Sequence, residues 1–220
     1  MKIAEAGLAF AALLCAALPA QAELVSGVEV GLNVQHQEIE LDAEGVAIDT
    51  DITRLGIAIW ESAGPVMLGL EGGPLRVTQN DNPATAGMDL TGQYIAVSAG
   101  GLLYTSERLD LGLSGSLGYN RADDDRDGQD TRLRWYEGRA ELKTTVKLFP
   151  VYLSGGGYAI YLDGKETASG PFSYTRDFES DGNAGGFLAL DYWTDATGRI
   201  SLRADAGARN GFELQFARRF

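Results

Sequence analysis

The sequence has little of the side-chain chemistry that many enzymes and metalloproteins use. Its 220 residues include one cysteine, Cys15, and one histidine, His36. A lone cysteine cannot form an intramolecular disulfide, so stability must come from other interactions. Basic residues are also scarce, since 18 Lys and Arg stand against 31 Asp and Glu and give a net charge of −13. This negative charge argues against a nucleic-acid partner.

Long hydrophobic runs are absent from the part of the chain that follows Ala22. A membrane-spanning helix needs roughly 20 consecutive apolar residues, and no segment there approaches that length. This excludes a helical membrane protein. The composition instead favours strands and tight turns, because it includes 29 glycines, 9 tyrosines and 8 phenylalanines.

The first residues carry the pattern of a cleavable secretory signal. Lys2 gives a basic start, residues 8–18 are apolar and broken only by small residues, and Ala20-Gln21-Ala22 offers a small-x-small cleavage site. We therefore predict a signal peptide over residues 1–22 and one mature domain over residues 23–220.

Apolar and polar residues alternate through much of the mature chain. The alternation is clearest in residues 109–120, where leucines and Tyr119 oppose small or polar residues. A period of two indicates a strand with one apolar face. The same reading predicts ten strands, near residues 24–36, 52–60, 66–78, 90–104, 109–120, 131–148, 151–162, 184–194, 199–208 and 212–220.

The connections between these strands alternate in length. Outer-membrane barrels have short periplasmic turns on one side and long extracellular loops on the other. The sequence therefore predicts an all-β fold, a transmembrane antiparallel up-and-down β-barrel of ten strands, with eight as the alternative. The last hairpin is expected to turn at Asn210-Gly211, a dipeptide typical of type I′ turns. Long connections are predicted at 37–51, 79–89, 121–130 and 163–183, and short ones at 61–65, 105–108, 149–150 and 195–198.

Aromatic residues gather near the predicted strand ends, as in the two interfacial girdles of a membrane barrel. The expected girdle beside the short turns contains Trp60, Tyr104, Phe149, Tyr152, Tyr192 and Trp193, and the one towards the long loops contains Tyr94, Tyr119, Trp135 and Tyr136.

The C-terminus carries a more specific pattern. Phe212, Leu214, Phe216 and Phe220 alternate with polar residues, and the chain ends on phenylalanine. This resembles the terminal strand of the small OmpA- and OmpX-type barrels, although Arg218 replaces an apolar residue third from the end. The resemblance implies location in the cell outer membrane, contact with its lipid and lipopolysaccharide, and recognition by the barrel assembly machinery through the strand ending at Phe220.

Charged residues of both signs occupy the faces predicted to point inwards. Paired across a narrow lumen, they would satisfy one another and block it. The alternative is a charged, water-filled channel for small solutes or ions. The residues concerned are Glu29, Arg54, Glu71, Asp110, Arg139, Glu141, Lys143, Lys147, Asp191, Arg203, Asp205 and Glu213.

One loop contains the front half of a calcium-binding pattern, in which Asp123, Asp125 and Asp127 alternate and Gly128 follows. The glutamate that would close an EF-hand loop is replaced by Arg134. The sequence predicts either weak calcium binding by the three aspartates or a hydrated acidic loop. No other cofactor is expected.

The leading functional hypothesis is a non-enzymatic outer-membrane barrel with a structural or interaction role. Its first long loop would present acidic residues outside the cell, and these would need divalent cations to approach anionic lipopolysaccharide. They are Glu38, Glu40, Asp42, Glu44, Asp49 and Asp51. A narrow channel is the first alternative. An envelope enzyme is the second, and its weakness is that His36 lies at a strand end with no recognisable serine partner.

Overall fold

The computed structural model describes residues 27–64 and 66–220, so the predicted signal peptide lies outside the described residues. No helix in this part is long and apolar enough to cross a membrane. Within the described residues, eleven strands form one antiparallel sheet. They are β1 (Gly27–Ala43), β2 (Val46–Ala63), β3 (Val66–Gln79), β4 (Leu90–Thr105), β5 (Leu109–Arg126), β6 (Gln129–Leu148), β7 (Val151–Ser169), β8 (Tyr174–Ser180), β9 (Ala184–Trp193), β10 (Gly198–Gly207) and β11 (Asn210–Arg219).

The sheet closes into a ten-stranded ring at the end where the connections predicted to be short lie. This end is here called the lower section. β11 pairs with β1 from Glu29 opposite Arg219 to Glu38 opposite Asn210. β7 pairs with β9 over Val151 to Ala159, so β8 takes no part in this ring. The predicted ten-stranded antiparallel barrel is therefore confirmed.

At the opposite end, here called the upper section, β8 takes the place of β9, β10 and β11. Residues Asp163 to Ala168 of β7 pair with β8, and Leu41 and Asp42 of β1 pair with its other edge. The upper section is therefore a second closed ring, made of the eight strands β1 to β8. An eight-stranded ring is just wide enough for its own side chains to fill.

Three of the predicted long loops are mainly strand instead, and residues 163–183 contain the end of β7 and all of β8. β1 and β2 meet at Glu44-Gly45, with φ of 57° and 86°, and β5 and β6 meet at Asp127-Gly128, with φ of 53° and 80°. A tight hairpin of this kind requires positive φ at both turn residues, which glycine adopts without strain. The acidic run of residues 37–51 thus forms a protruding strand wall, and the prediction of a loop there was wrong.

The faces of the strands exchange character between the two sections. In the lower section of β1 the apolar Leu32 points outwards and is 46% exposed. Further up the same strand, Ile39 and Leu41 point inwards and are 5% and 3% exposed, while Glu38 and Glu40 lie exposed on the outside. The lower section is therefore apolar outside, and the upper section is apolar inside.

An apolar cluster, here called the upper core, fills the upper ring and reaches down to the junction of the two sections. Eighteen buried residues form it, seventeen of them from the nine strands β1 to β9 and one, Met88, from the connection between β3 and β4. Burying each large aliphatic side chain of this kind contributes about 1.5–3 kcal/mol. The members are Ile39, Leu41, Ala43, Ile48, Ile52, Leu75, Val77, Met88, Leu90, Tyr94, Ala122, Leu133, Trp135, Tyr158, Ile160, Leu162, Phe178 and Phe187.

The connection between β3 and β4 folds over the upper core instead of extending into solvent. Asn82 and Thr85 in this connection are 3% and 0% exposed. Asn82 Nδ2 donates to Glu166 Oε1 at 2.8 Å, and Glu166 also accepts from Tyr174 Oη at 2.7 Å. Arg176 completes the network through a salt bridge of 2.8 Å to Glu166. Burial, followed by the hydrogen bond to Glu166, raises the pKa of Tyr174 to about 12.

The last hairpin forms in register but does not turn where the sequence predicted. Ser201 pairs with Gln215, and the last pair is Asp205 with Gly211. The turn therefore centres on Ala208, and Asn210-Gly211 begins β11. The positive φ of this turn belongs to Gly207, at 112°, so the type I′ prediction at Asn210-Gly211 was wrong.

The girdle prediction was wrong for the three tryptophans, and also for Tyr94, which is 7% exposed in the upper core, and for Tyr152, which faces inwards in register with Asp191. Trp135 is 3% exposed and belongs to the upper core. Trp60 lines the lumen, and Trp193 lies under the guanidinium of the inward-facing Arg219. Each tryptophan lies an even number of residues from inward-facing polar residues on its own strand. The period of two therefore places it on the inward face. Exposed aromatics do mark both ends of the apolar outer band, among them Tyr104, Tyr136, Phe149, Tyr161, Tyr192, Phe212, Phe216 and Phe220.

Candidate functional site

A polar cavity occupies the lumen of the lower section, directly beneath the upper core. Its volume is about 270 Å³. β2, β3, β4, β6, β10 and β11 contribute its charged and aromatic lining, together with the turn between β10 and β11. β1 and β5 add polar side chains. This lumen cavity is lined chiefly by Asn33, Gln35, Arg54, Trp60, Met67, Glu71, Tyr94, Asn120, Glu137, Arg139, Glu141, Arg203, Arg209 and Glu213.

One carboxylate at the top of the cavity holds two arginines. Glu137 Oε2 lies 2.9 Å from Nη2 of Arg54, and Glu137 Oε1 lies 2.6 Å from Nη2 of Arg209. Arg54 also donates to Asn120 Oδ1 at 3.0 Å. The side chains of Arg54 and Arg209 are only 7% and 3% exposed. A charge buried to this degree is stable only when it is paired.

A second group contains two arginines and two carboxylates with no net charge. Arg203 contacts Glu141 at 2.7 Å and Asp205 at 2.9 Å, while Arg139 contacts Asp205 at 2.9 Å and Glu141 at 3.2 Å. The guanidinium of Arg203 lies 3.8 Å from the ring centroid of Phe187. The four charges therefore form a closed cycle in which each group contacts both of opposite sign.

Further ion pairs continue towards the lower end. Arg199 bridges Glu29 at 2.6 Å and Asp191 at 2.9 Å, and Lys147 contacts Asp110 at 2.8 Å. The expectation of cross-strand ion pairs in the lumen is confirmed for all the inward residues predicted from the sequence except three. Within the described residues, Glu71, Lys143 and Glu213 make no salt bridge.

Sequence reasoning missed four members of these networks, Glu137, Arg199, Arg209 and Arg219, the last of which lies 3.8 Å from Glu29. Glu137 could have been found, because it shares the inward face of β6 with Arg139 and Glu141. Arg209 lies in the turn between β10 and β11, where alternation carries no information. Placing that turn at Asn210-Gly211 concealed its inward position.

Glu71 is held by neutral donors. Tyr94 Oη donates to Glu71 Oε1 at 2.5 Å, and Asn33 Nδ2 donates to the same oxygen at 2.8 Å. Gly56 makes this possible, since a Cβ at that position would collide with the Tyr94 hydroxyl and the Asn33 side chain. This part of the cavity is therefore a fixed hydrogen-bond arrangement.

No family model and no curated protein matches the sequence. Solved structures do match the fold. The outer-membrane protease OmpT from Escherichia coli aligns with a TM-score of 0.57 and 10% identity, over 93% of this chain and 100% of that one. The translocator domain of the autotransporter NalP from Neisseria meningitidis aligns with a TM-score of 0.52 and 12% identity, over 99% and 96%. An outer-membrane channel from Pseudomonas putida F1 also aligns with a TM-score of 0.52 and 12% identity, over 92% and 99%.

The chain folds as an outer-membrane β-barrel. The lower section carries the lipid-facing surface, because its outer wall exposes large apolar side chains such as Leu32, Ile57, Leu117 and Leu202. In such barrels the short turns face the periplasm and the long hairpins face the outside of the cell. The lumen cavity therefore lies at membrane depth, and the upper core lies on the extracellular side.

The three aspartates of the predicted calcium loop lie on the β5–β6 hairpin of this barrel. Asp123 accepts a hydrogen bond from Arg121 Nε at 3.2 Å, Asp125 is paired in register with Asp130, and Asp127 occupies the turn. The structure does not gather their oxygens. In the described part of the chain, one group of three ligand atoms lies within 4.8 Å, and it consists of His36, Glu38 and Asp51. Weak calcium binding by the three aspartates stays a prediction.

His36 lies on the outer wall of the barrel rather than in the lumen. Its Nδ1 lies 3.1 Å from Thr53 Oγ1, and its ring packs against Phe212 with centroids 5.6 Å apart. Both contacts are made on the outer wall, and neither lies in the lumen cavity.

Proposed function

We propose that this outer-membrane barrel is closed and non-enzymatic, with a structural or interaction role carried by its extracellular wall. The observation that carries the proposal is the eight-stranded upper ring filled by the upper core. Ions cross a barrel only through continuous water, and a packed apolar layer holds none. Leu90, Leu133 and Ile48 in this layer are 0%, 1% and 1% exposed.

The lumen cavity below supports the same proposal. Its arginines are paired with carboxylates that the barrel itself provides, as in the cycle of Arg139, Glu141, Arg203 and Asp205. Mutual pairing leaves these charges less available to a passing solute. The competing proposal is a narrow channel, and the cavity of about 270 Å³ is the observation in its favour.

Planar-bilayer recording of the refolded protein separates these two functions. We expect little or no steady conductance, because the upper core blocks the path. Refolding is verified first by gel mobility before and after heating. A stable, ion-selective conductance from verified protein would reject the closed barrel and establish the channel.

The lack of enzymatic activity is part of the proposal. It is supported by the position of His36 on the outer wall, with Thr53 and Phe212 as its neighbours. An esterase and protease screen that compares the parent with His36→Ala tests it. Activity in the parent that His36→Ala removes would favour an envelope enzyme instead.

From the resemblance to OmpA- and OmpX-type barrels we also propose that the barrel assembly machinery recognises the terminal strand of this protein. Phe212 and Phe216 of β11 face outwards and Phe220 is 77% exposed, so the assembly machinery could reach all three rings. Arg218 also faces outwards, where its long side chain can reach the interface. Eight strands are typical of those small barrels, and here only the upper ring has eight.

A further inference from the structure

Three cations lie side by side on the outer wall of the barrel. Arg121 of β5 pairs in register with Arg134 of β6, and Arg134 pairs in register with Lys165 of β7. All three lie on the outward faces of their strands. Side chains directly opposite each other have Cβ atoms about 4.5–5.5 Å apart, and like charges in this arrangement are destabilising.

The height of this basic row coincides with the edge of the lipid-facing band. Arg121 and Arg134 each lie two residues beyond a tyrosine of the outer wall, Tyr119 and Tyr136, whose rings pack with centroids 5.1 Å apart. Two residues of strand correspond to about 7 Å. Since aromatic side chains mark the interface of a membrane barrel, the basic row lies at the depth of the lipid headgroups.

Carboxylates neutralise only the ends of the row. Arg121 contacts Asp123 at 3.2 Å, and Lys165 contacts Asp177 at 3.2 Å. In the described residues Arg134 has no ion pair, and neither does Arg132, which lies two positions further along the same face of β6. Arg132 Nε is buried and has no hydrogen-bond partner. Asp123 also lies in register opposite Arg132. The other outward carboxylates nearby lie at the upper and lower edges of this surface, and they are Asp125, Asp130, Asp163 and Glu179.

The opposite wall of the barrel has the reverse charge. Glu38 pairs in register with Asp51, and Glu40 pairs with Asp49, on the outer faces of β1 and β2. An anionic headgroup would be repelled there. An anion at this height is therefore directed to β5, β6 and β7.

We propose that Arg132 and Arg134, flanked by Arg121 and Lys165, bind a phosphate group of a phosphorylated glycolipid in the outer leaflet. Two guanidinium groups on one strand face can donate charge-assisted hydrogen bonds to the phosphate oxygens. The acyl chains would then lie along the apolar wall below Tyr119 and Tyr136. The bound phosphate relieves the repulsion between the in-register cations.

Native mass spectrometry of the protein in detergent tests this site, with lipid A carrying both phosphates as the probe. We expect retention of lipid A by the parent and about tenfold or greater weakening in the double variant Arg132→Gln/Arg134→Gln. Arg76→Gln is the matched control, because Arg76 is an outward arginine of β3 that already contacts Asp89 at 2.5 Å. The control should bind lipid A like the parent.

Further measurements make the outcome decisive. Dephosphorylated lipid A should bind no better to the parent than to the double variant, and equal retention of both lipids by the parent would overturn the proposal. Displacement of lipid A by an equal concentration of inorganic phosphate would overturn the lipid assignment. Heat-dependent gel mobility establishes that each variant is folded, so equal binding by parent and double variant would also count against the site.

Discussion

Replacing Glu166 with glutamine should loosen the upper section while leaving the lipid-facing ring intact. The Glu166 side chain is 1% exposed, and its Oε2 accepts from Nε and Nη2 of Arg176 at 2.9 and 2.8 Å. Its Oε1 accepts from Asn82 and Tyr174. One carboxylate thus ties β7 to β8 and to the connection that covers the upper core.

The expected effect follows from what glutamine can replace. An amide can still accept from Asn82 or Tyr174, but its NH2 group faces the donors of Arg176 and the ion pair is lost. Removing one partner of a buried pair costs about 3–5 kcal/mol. The Arg176 side chain keeps 16% exposure and can be partly rehydrated. We therefore expect the free energy of unfolding to fall by about 3 kcal/mol, the lower limit of this range.

Denaturant titration with Trp135 as the reporter measures this loss. Trp135 lies in the upper core, and a background with Trp60→Phe and Trp193→Phe makes its fluorescence specific to the upper section. The matched control is Glu179→Gln on β8, an exposed position where a change within about 0.5 kcal/mol is expected. If the two variants unfold with the same free energy, the buried network does not hold the upper section together.

Two other predictions concern pH and calcium. Tyr174 keeps its proton in the folded state to a pKa of about 12 against an ordinary value of 10.0, so the folded state binds more protons across this range. Stability should therefore fall as the pH rises from about 10 to about 12, and Tyr174→Phe should lack this loss in denaturant titrations at both pH values. For the β5–β6 hairpin we expect weak calcium binding, at about 0.1–1 mM, that Asp125→Asn weakens further. If calorimetry shows no calcium-dependent heat in the parent at millimolar calcium, the hairpin is only a hydrated acidic surface.

The lower ring could be predicted from the sequence because a single rule governs it. Alternation with a period of two, as in residues 109–120, places apolar side chains towards lipid and polar ones towards the lumen. The inward charges followed from the same rule, and Arg139 and Asp205 do pair across the lumen at 2.9 Å. The strand count followed from the alternation of turn lengths.

The upper section was not predicted because the apolar face of each strand changes there from the outside to the inside, while the strand itself continues without a break. Glu38 and Glu40 continue the outward face of β1, but in water a charged outer face is favourable and an apolar inner face is required. A run of acidic residues was therefore interpreted as a loop. The pairing of β8 with both β7 and β1 joins residues far apart in sequence, such as Ser180 with Leu41, which local patterns do not encode.

The basic row is a second feature that could not be predicted from the sequence. No local sequence pattern singles out Arg121, Arg134 or Lys165, because each is simply a charged residue near a hairpin. Their significance depends on register, which places them opposite one another across three strands. Register is a property of the folded sheet, and a shift by one residue would turn each of these cations towards the interior.

In the closed barrel that we propose, the narrowing from ten strands to eight makes the lumen a chamber that opens only at its lower end. Met67 faces the lumen cavity near the short turns and is still 43% exposed, so water reaches the cavity from the periplasmic end. The charges within it then equilibrate with the ions and acidity of the periplasm, while the medium outside the cell acts only on the outer wall. The two surfaces of one small protein thus sample two different solutions.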